Sequence, residues 1–242
     1  MARIAHGGRT NQGQPLGVLM LDTRFPRVPG DVGNGFTFDF PVRYLTVKGA
    51  SVDRVVREGD PALLAPFIEG ARELEAAGCQ VIATSCGFLV MFQKEMAAAV
   101  GVQVITSSLL QVPFLARMLG PGRKVGILTI RATSLGEKHF RGAGMEGCEV
   151  VIRGMEEYSE FTNAFFQDQP VLDLDRAEAE VAAAARALAQ SDPSVGALVL
   201  ECTNMPPFAR AAQEAAGLPV YDVTTLINHT VSGLLRRPFH RL

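Results

Sequence analysis

Ala83-Thr-Ser-Cys-Gly-Phe88 and Leu200-Glu-Cys-Thr-Asn-Met205 are the two stretches of sequence that decide the fold. Each of them follows a short run of apolar residues and precedes a helical pattern, which predicts a turn from a buried strand into a helix. Each of their cysteines is followed 15 residues later by a Gly-x-x-Val sequence, at Gly101 and at Gly217. The equal spacing indicates that one α/β unit occurs twice in the chain.

The remaining elements repeat in the same order around these two turns. Strands are predicted at 17–21, 80–83, 102–106, 124–129, 197–200 and 219–221. Helices are predicted between Pro61 and Gly78, at 87–100, within 172–190 and at 207–216, and a Pro- and Gly-rich loop is expected from Arg24 to about Tyr44. This alternation predicts an α/β fold with two similar parallel-sheet (Rossmann-like) domains related by a pseudo-twofold axis.

The predicted active site lies in a cleft between the two units. Ligands of open parallel sheets bind beyond the carboxyl ends of the strands, so two units that face each other would share one cleft. Asp22, Cys86, Thr129 and Cys202 stand at or just after such strand ends and are expected to line it. The first domain is expected to contain residues 1–110 plus 224–242, and the second residues 111–223.

Composition argues against several classes of partner. Lys and Arg number 23 against 25 Asp and Glu, which gives a net charge of −2 and no basic run that could follow nucleic-acid phosphates. The longest uncharged apolar stretch, at 81–92, is too short to span a bilayer, and the first residues lack the apolar stretch of a signal peptide. We therefore expect a cytoplasmic protein that binds neither nucleic acid nor membrane, and a homo-oligomer by general precedent.

Two of the four cysteines are candidates for chemistry. Cys79 and Cys148 fit the usual role of cysteine as a small buried hydrophobe, whereas Cys86 and Cys202 have polar neighbours in the sequence. A helix that begins just after a thiol favours the thiolate and offers N–H groups to a substrate carboxylate. The spacing of the four cysteines argues against a zinc site and against a disulfide framework. Two free thiols on opposite sides of a substrate can remove and return a proton at a carbon beside a carboxylate, and this needs no metal or cofactor.

Other chemistries fit the sequence less well. A phosphatase loop needs an arginine six residues after the cysteine, where this chain has Phe92 and Phe208. No histidine follows a recognisable hydrolase pattern, although His229 stays open. The fingerprint-like stretch at 142–147 follows a helical pattern and precedes a strand, which is the reverse of the order that dinucleotide binding requires.

Several charged residues near the predicted cleft are weaker candidates. Asp22 either caps a loop or assists the nearby thiol, and Arg24, Arg27 and Arg43 offer guanidinium groups that suit a carboxylate. The position of Glu201 is open. Strand alternation would turn it away from Cys202, but a nearby carboxylate would raise the pKa of that thiol.

These residues resemble the aspartate/glutamate racemase superfamily, which contains cofactor-independent amino-acid racemases, hydantoin racemases, maleate isomerases and arylmalonate decarboxylases. The resemblance is most specific at Cys86, at Glu201-Cys-Thr-Asn204 and at Val18-Leu-Met-Leu-Asp-Thr23. It implies that Cys86 and Cys202 are the acid/base pair and that Asp22 is an assisting carboxylate. The residues expected to bind the substrate are Thr23, Thr84, Ser85, Gly87, Phe88, Thr129, Thr203 and Asn204.

The chain departs from glutamate racemases at three sites in the sequence, one of which comprises two residues. It has Gly87-Phe88 where they commonly carry Asn-Thr, Asn204 where they place a histidine, and Glu201 where a glycine is usual. These changes preserve the two-thiol chemistry and weaken the case for glutamate. The sequence therefore predicts a cofactor-independent racemase or epimerase of an amino acid or a related small carboxylate or hydantoin. A maleate-type isomerase with a nucleophilic cysteine and a non-catalytic small-acid binding protein are the alternatives.

Overall fold

Two parallel four-stranded sheets form the centre of the protein in a computed structural model that describes residues 4–236. The strands run in the order β2-β1-β3-β4 in the first sheet and β6-β5-β7-β8 in the second. The strands are β1 (Leu16–Leu21), β2 (Val42–Val47), β3 (Val81–Thr84), β4 (Gln103–Ile105), β5 (Lys124–Thr129), β6 (Val150–Gly154), β7 (Val195–Leu200) and β8 (Val220–Tyr221). Because the second sheet repeats the order of the first, the predicted duplicated α/β architecture is confirmed.

Helices connect the strands and flank the sheets. The α-helices are α1 (Leu64–Ala76), α2 (Gln93–Ala99), α3 (Val112–Met118), α4 (Glu137–Gly142), α5 (Ser159–Phe161), α6 (Leu174–Ser191), α7 (Ala209–Ala216) and α8 (Val223–Leu234). Shorter 3-10 turns lie at Pro61–Leu63, Gly87–Phe92, Ser108–Gln111, Ala132–Ser134 and Pro206–Phe208, and π-helical turns lie at Asp53–Glu58 and Thr162–Phe166. Across residues 4–236, none of these helices has the length and apolar character that crossing a bilayer requires.

The central strands are continuous apolar runs because both of their faces are covered. All six residues of β1 and all six of β7 are buried, as expected for parallel strands with helices on either side. The amphipathic α6 packs beside β5, β6 and β7 through Val181, Ala184 and Leu188. Burial of these strands fixes the positions of the residues that come after them.

The final helix packs on the first sheet. Asp222 caps α8 by accepting hydrogen bonds from the backbone of Thr224 and Thr225. Val223, Ile227 and Val231 of this helix belong to the same buried cluster as Val18 and Val81 of the first sheet. The predicted division into a first domain of residues 1–110 plus 224–242 and a second of residues 111–223 stays a prediction. Residues 1–3 and 237–242 of the first predicted domain lie outside the described residues.

Two local differences from the sequence prediction bear on the site. The loop after β1 ends at Pro41, because β2 begins at Val42 and pairs with β1 along its whole length. β2 is a half-exposed edge strand, so its mixed composition hides it from a search for apolar runs. The segment after each cysteine-bearing turn starts with a 3-10 turn before α2 or α7 begins. The same irregularity therefore occurs in both halves.

Candidate active site

Cys86 and Cys202 line one pocket that takes residues from both halves of the chain. Each cysteine stands two residues beyond the end of a central strand, Cys86 after β3 and Cys202 after β7. Its free cavity volume is about 20 Å³, which is close to the space that one ordered water occupies, so a substrate would require the lining side chains to move apart. The polar or small residues of the lining are Ser85, Cys86, Gly87, Glu201, Cys202, Thr203 and Asn204.

Burial favours the protonated form of the Cys86 thiol. Loss of solvent, followed by the nearby Glu201 carboxyl, raises its pKa to about 12. The backbone N–H groups of Phe88 and Leu89 face the sulfur and lower the pKa by less. The helix start predicted from the sequence therefore does favour the thiolate, but the cost of burying the charge is larger.

A buried chain of polar groups reaches Cys202 from the loop after β1. The Cys202 thiol donates to Asn204 Oδ1 at 3.5 Å, and Asn204 Nδ2 donates to Asp31 Oδ2 at 2.6 Å. Asp31, which is 1% exposed, also pairs with Arg27 at 2.8 Å. Burial and then the Glu201 carboxyl raise the pKa of Cys202. Because Asp31 binds the Nδ2 group, the loop after β1 orients the Asn204 side chain so that its Oδ1 faces the Cys202 thiol.

Asp31→Ala is expected to lower the free energy of unfolding by about 3 kcal/mol, because it leaves the Arg27 guanidinium and the Asn204 amide without their buried acceptor. Asp39→Ala is the matched control, since Asp39 is an exposed aspartate of the same loop. It should change the free energy by less than about 0.5 kcal/mol. Urea unfolding followed by circular dichroism measures both, and equal effects would contradict the assigned role of Asp31.

Glu201 faces the pocket although it is only 1% exposed. β7 ends at Leu200, so strand alternation no longer governs the direction of its side chain. Its Oε2 accepts a hydrogen bond from Thr129 Oγ1 at 2.7 Å, while its Oε1 has no hydrogen-bond partner among the described residues. Burial raises the pKa of this carboxyl to about 7 despite the Thr129 bond. The Glu201 carboxyl group thus lies near both thiols. This agrees with the second sequence interpretation, in which a nearby carboxylate raises the pKa of Cys202.

The raised pKa of Glu201 makes stability depend on pH. The folded protein holds this proton up to about pH 7, whereas an unfolded glutamate loses it near 4.5. The folded state therefore loses stability as pH rises from about 4.5 to about 7, with no further change above that window. Between pH 4.5 and pH 8, the unfolding free energy of Glu201→Gln should rise relative to wild type by about 3 kcal/mol. Urea titrations at the two pH values test this, and a difference that does not change with pH would refute the shift.

The structure brings together five of the predicted substrate-binding residues and separates four other candidates from the pocket. Ser85, Gly87, Phe88, Thr203 and Asn204 all belong to the lining. The four candidates outside the lining are Asp22, Thr23, Thr84 and Thr129.

Local hydrogen bonds explain why these four side chains do not reach the pocket. The Asp22 backbone is tied to Ala50 and its side chain is exposed, while the Thr23 hydroxyl accepts from Arg27. Thr84 and Thr129 are fully buried, with the first bonded to backbone carbonyls and the second behind Glu201. The expected assisting role of Asp22 therefore has no support from this geometry.

The remaining charged candidates also have other contacts. Arg24 pairs with Asp168 at 3.5 Å on the surface, and Arg27 pairs with Asp31. Arg43 lies in β2 opposite Gly17, and His229 lines a separate surface pocket on α8. None of these four side chains belongs to the lining of the thiol pocket.

An apolar wall completes the pocket, and Phe88 is its one member predicted from the sequence. Its members are Leu21, Phe25, Val52, Val56, Phe88, Ile130 and Phe165. The rings of Phe25 and Phe165 meet edge to face at 5.1 Å, although the two residues are far apart in the chain. Phe25 lies in the Pro- and Gly-rich loop predicted from Arg24 to about Tyr44, but no sequence signal marks Phe165. Among residues 4–236, the lining includes no lysine, arginine or histidine.

Curated relatives match this chain over most of its length. A protein named dimethylsulfoniopropionate lyase from Durusdinium sp. clade D is 32% identical over 232 residues, which covers 92% of this chain and 76% of that protein. Dimethylsulfoniopropionate lyase 5 from Emiliania huxleyi (strain CCMP1516) is 30% identical, with 92% of this chain and 46% of that protein covered. The chain thus spans about three quarters of the first relative and about half of the second.

The family and fold comparisons agree with each other. The family described as Asp/Glu/hydantoin racemase matches residues 110–229. The solved structure of Picrophilus torridus aspartate racemase superposes with a TM-score of 0.57 and 14% identity, covering 94% of this chain and 96% of the other. The match covers both parallel sheets and indicates the same fold. The chain therefore belongs to the aspartate/glutamate/hydantoin racemase superfamily, a family of enzymes that act on small acids.

Proposed function

We propose that this protein is a cofactor-independent lyase that eliminates a sulfonium group from the β-carbon of a small carboxylate. Dimethylsulfoniopropionate is the substrate of choice for a first test. As in the sequence-based prediction, a cysteine removes a proton from the carbon beside the carboxylate. The proposal differs in the fate of the resulting carbanion. In a racemase the carbanion is reprotonated, whereas in a lyase it expels a leaving group.

The observation that carries this proposal is the chemical character of the pocket. Apart from the thiols, its one ionisable lining residue among those described is the acidic Glu201, and three phenylalanine side chains line the same space. A glutamate or aspartate substrate would need a cation for its second carboxylate and would meet a like charge instead. A sulfonium group is a cation with apolar methyl groups, which suits aromatic and aliphatic walls. The names of the full-length relatives support the same substrate.

Cys86 is the proposed base. Two backbone N–H groups, of Phe88 and Leu89, face its sulfur, whereas the Cys202 thiol donates its proton to Asn204. The thiol is protonated in the empty pocket, and a bound cation lowers the pKa of a nearby acid. The thiolate therefore forms in response to the substrate, in a site that protects it from solvent.

The atoms and electron pairs of the proposed elimination balance without another reactant. The Cys86 thiolate takes a proton from Cα, and the electron pair of that C–H bond becomes the Cα=Cβ double bond. The Cβ–S bond breaks, and its electron pair leaves with sulfur as neutral dimethyl sulfide. The carbon skeleton leaves as acrylate, and the thiol then passes its proton to water.

Incubation of the purified protein with dimethylsulfoniopropionate tests the proposal. Headspace gas chromatography measures dimethyl sulfide, and liquid chromatography measures acrylate. Equal amounts of both products are expected, at a rate proportional to protein concentration. No product over a range of pH and substrate concentration would overturn the lyase assignment.

Racemisation is the second candidate, because both thiols line one pocket and a two-base reaction needs them on either side of a substrate. A panel of amino acids and hydantoins in deuterated water distinguishes it. Loss of the Cα–H resonance together with loss of optical activity, without dimethyl sulfide release from the sulfonium substrate, would favour a racemase. A covalent cysteine adduct without deuterium uptake would favour a maleate-type isomerase. Tight binding that survives Ser replacement of both thiols would favour a binding protein.

A further inference from the structure

We infer that Glu201 is the anionic subsite that binds the cationic group of the substrate and selects small zwitterions with an onium group over neutral or anionic acids. This assignment rests on the proposed function and specifies how the pocket recognises its substrate. Nothing in the two-thiol chemistry requires a carboxylate at this position, so Glu201 needs an explanation of its own.

The position of Glu201 suits a ligand-binding carboxylate. The Thr129 hydroxyl holds Oε2 at 2.7 Å and so fixes the orientation of the group. Oε1 is buried and accepts no hydrogen bond from the described residues, which is a costly arrangement for a carboxylate oxygen in a folded protein. Because Glu201 also lines the pocket, a bound onium group would place a counter-charge beside this oxygen.

Aromatic rings complete the proposed subsite. Phe25, Phe88 and Phe165 line the same pocket as Glu201. Ring faces attract cations, and an onium group keeps its apolar methyl groups against them. An isolated cation in such an apolar space would carry a large desolvation cost, so it requires a counter-charge. Glu201 is the ionisable lining residue that provides one.

Gly87 provides the space for this carboxylate. A Cβ placed on Gly87 would overlap the carboxyl Oε1 of Glu201 and would lie 2.5 Å from its backbone carbonyl oxygen. The glycine after the first cysteine and the glutamate before the second therefore form a matched pair across the two halves. This pairing accounts for two of the three departures from the glutamate racemase sequence.

The ionisation of the neighbours is compatible with the assignment. The titratable lining groups that face Glu201 are Cys86 and Cys202, and both have raised pKa values. The pKa of Glu201 is about 7, so at pH 8 the carboxylate carries the negative charge of the empty pocket. Binding of a cation would stabilise that charge further.

Two probes of similar shape test the inference, and proton NMR of the titrated samples checks that neither is turned over. 3-(Trimethylammonio)propanoate carries a permanent cation, and 4-methylpentanoate replaces the sulfonium of the substrate by a neutral carbon. Isothermal titration calorimetry at pH 8 should give tighter binding of the cationic probe to wild type. Glu201→Gln should weaken that probe by at least about tenfold, equivalent to 1.4 kcal/mol, and change 4-methylpentanoate by less than about twofold.

Glu214→Gln is the matched control, since Glu214 is exposed on α7 and pairs with Arg210. It should bind both probes as wild type does. Glu201→Asp keeps the charge, so it should retain the preference for the cationic probe even where the Gln variant is poorly folded. Equal weakening of both probes by Glu201→Gln, or no preference in wild type, would overturn the inference. Because neither probe contains sulfur, binding is measured independently of dimethyl sulfide release. Charge selectivity without dimethyl sulfide release from the sulfonium substrate would therefore remove only the lyase proposal.

Discussion

Replacing Cys86 by serine is expected to reduce dimethyl sulfide release from dimethylsulfoniopropionate by at least about 100-fold. Serine keeps nearly the same shape, but its hydroxyl is far less acidic than a thiol and cannot serve as the base at Cα. Cys202→Ser should reduce the rate less, because Cys202 takes no part in the proposed proton transfer. Cys202→Ser changes the group that donates to Asn204 and removes the second thiol from the pocket.

Cys148→Ser is the control for these variants. Cys148 is partly exposed and does not line the pocket, so its replacement should leave the rate within about twofold of wild type. Initial rates of dimethyl sulfide release for the three variants give the comparison. A rate for Cys86→Ser that equals the near-wild-type rate of Cys148→Ser would rule out Cys86 as the base of dimethyl sulfide release.

Gly87→Ala is expected to cause the second large loss, again of about 100-fold in rate. The added methyl group would overlap Glu201, so Cys86 and Glu201 would have to move apart. Both residues are placed by the ends of buried central strands, and the surroundings can adjust only at a cost. Overpacking of this kind also lowers the free energy of unfolding by about 1–3 kcal/mol.

Gly35→Ala provides the comparison for this substitution. Gly35 lies in the loop after β1, and a Cβ there would meet no atom within 4 Å. Its activity and its urea midpoint should match those of wild type. Wild-type activity in Gly87→Ala would show that the contact between the two cysteine turns is not needed for function.

The fold was predictable from the sequence because burial leaves a direct trace in it. Fully buried strands such as β1 and β7 appear as continuous apolar runs, and the equal spacing after Cys86 and Cys202 revealed the duplication. The half-exposed β2 escaped because edge strands mix polar and apolar residues. The predicted strand ends also placed Cys86 and Cys202 at equivalent positions of the two α/β units. The position of the two cysteines is the part of the site that the sequence alone determines.

The rest of the site depends on contacts between distant segments. Asp31 reaches Asn204 across 173 positions, and Phe165 joins Phe25 across a comparable distance in the chain. Asp22 had the sequence position of a site residue, but its side chain is exposed and lies outside the pocket lining. The raised pKa values of the thiols depend on the depth of burial, which is set by packing that a motif does not contain. Glu201 shows the same limit, because its direction is set just beyond the last residue of β7.

The most direct test of the proposed lyase chemistry monitors dimethylsulfoniopropionate by proton NMR in the presence of wild type and of Cys86→Ser. We predict that wild type produces the vinyl resonances of acrylate and the methyl resonance of dimethyl sulfide in a 1:1 molar ratio, while Cys86→Ser leaves the substrate intact. Unchanged substrate resonances with wild type, under conditions where an amino acid or a hydantoin exchanges its Cα–H for deuterium, would contradict the lyase assignment.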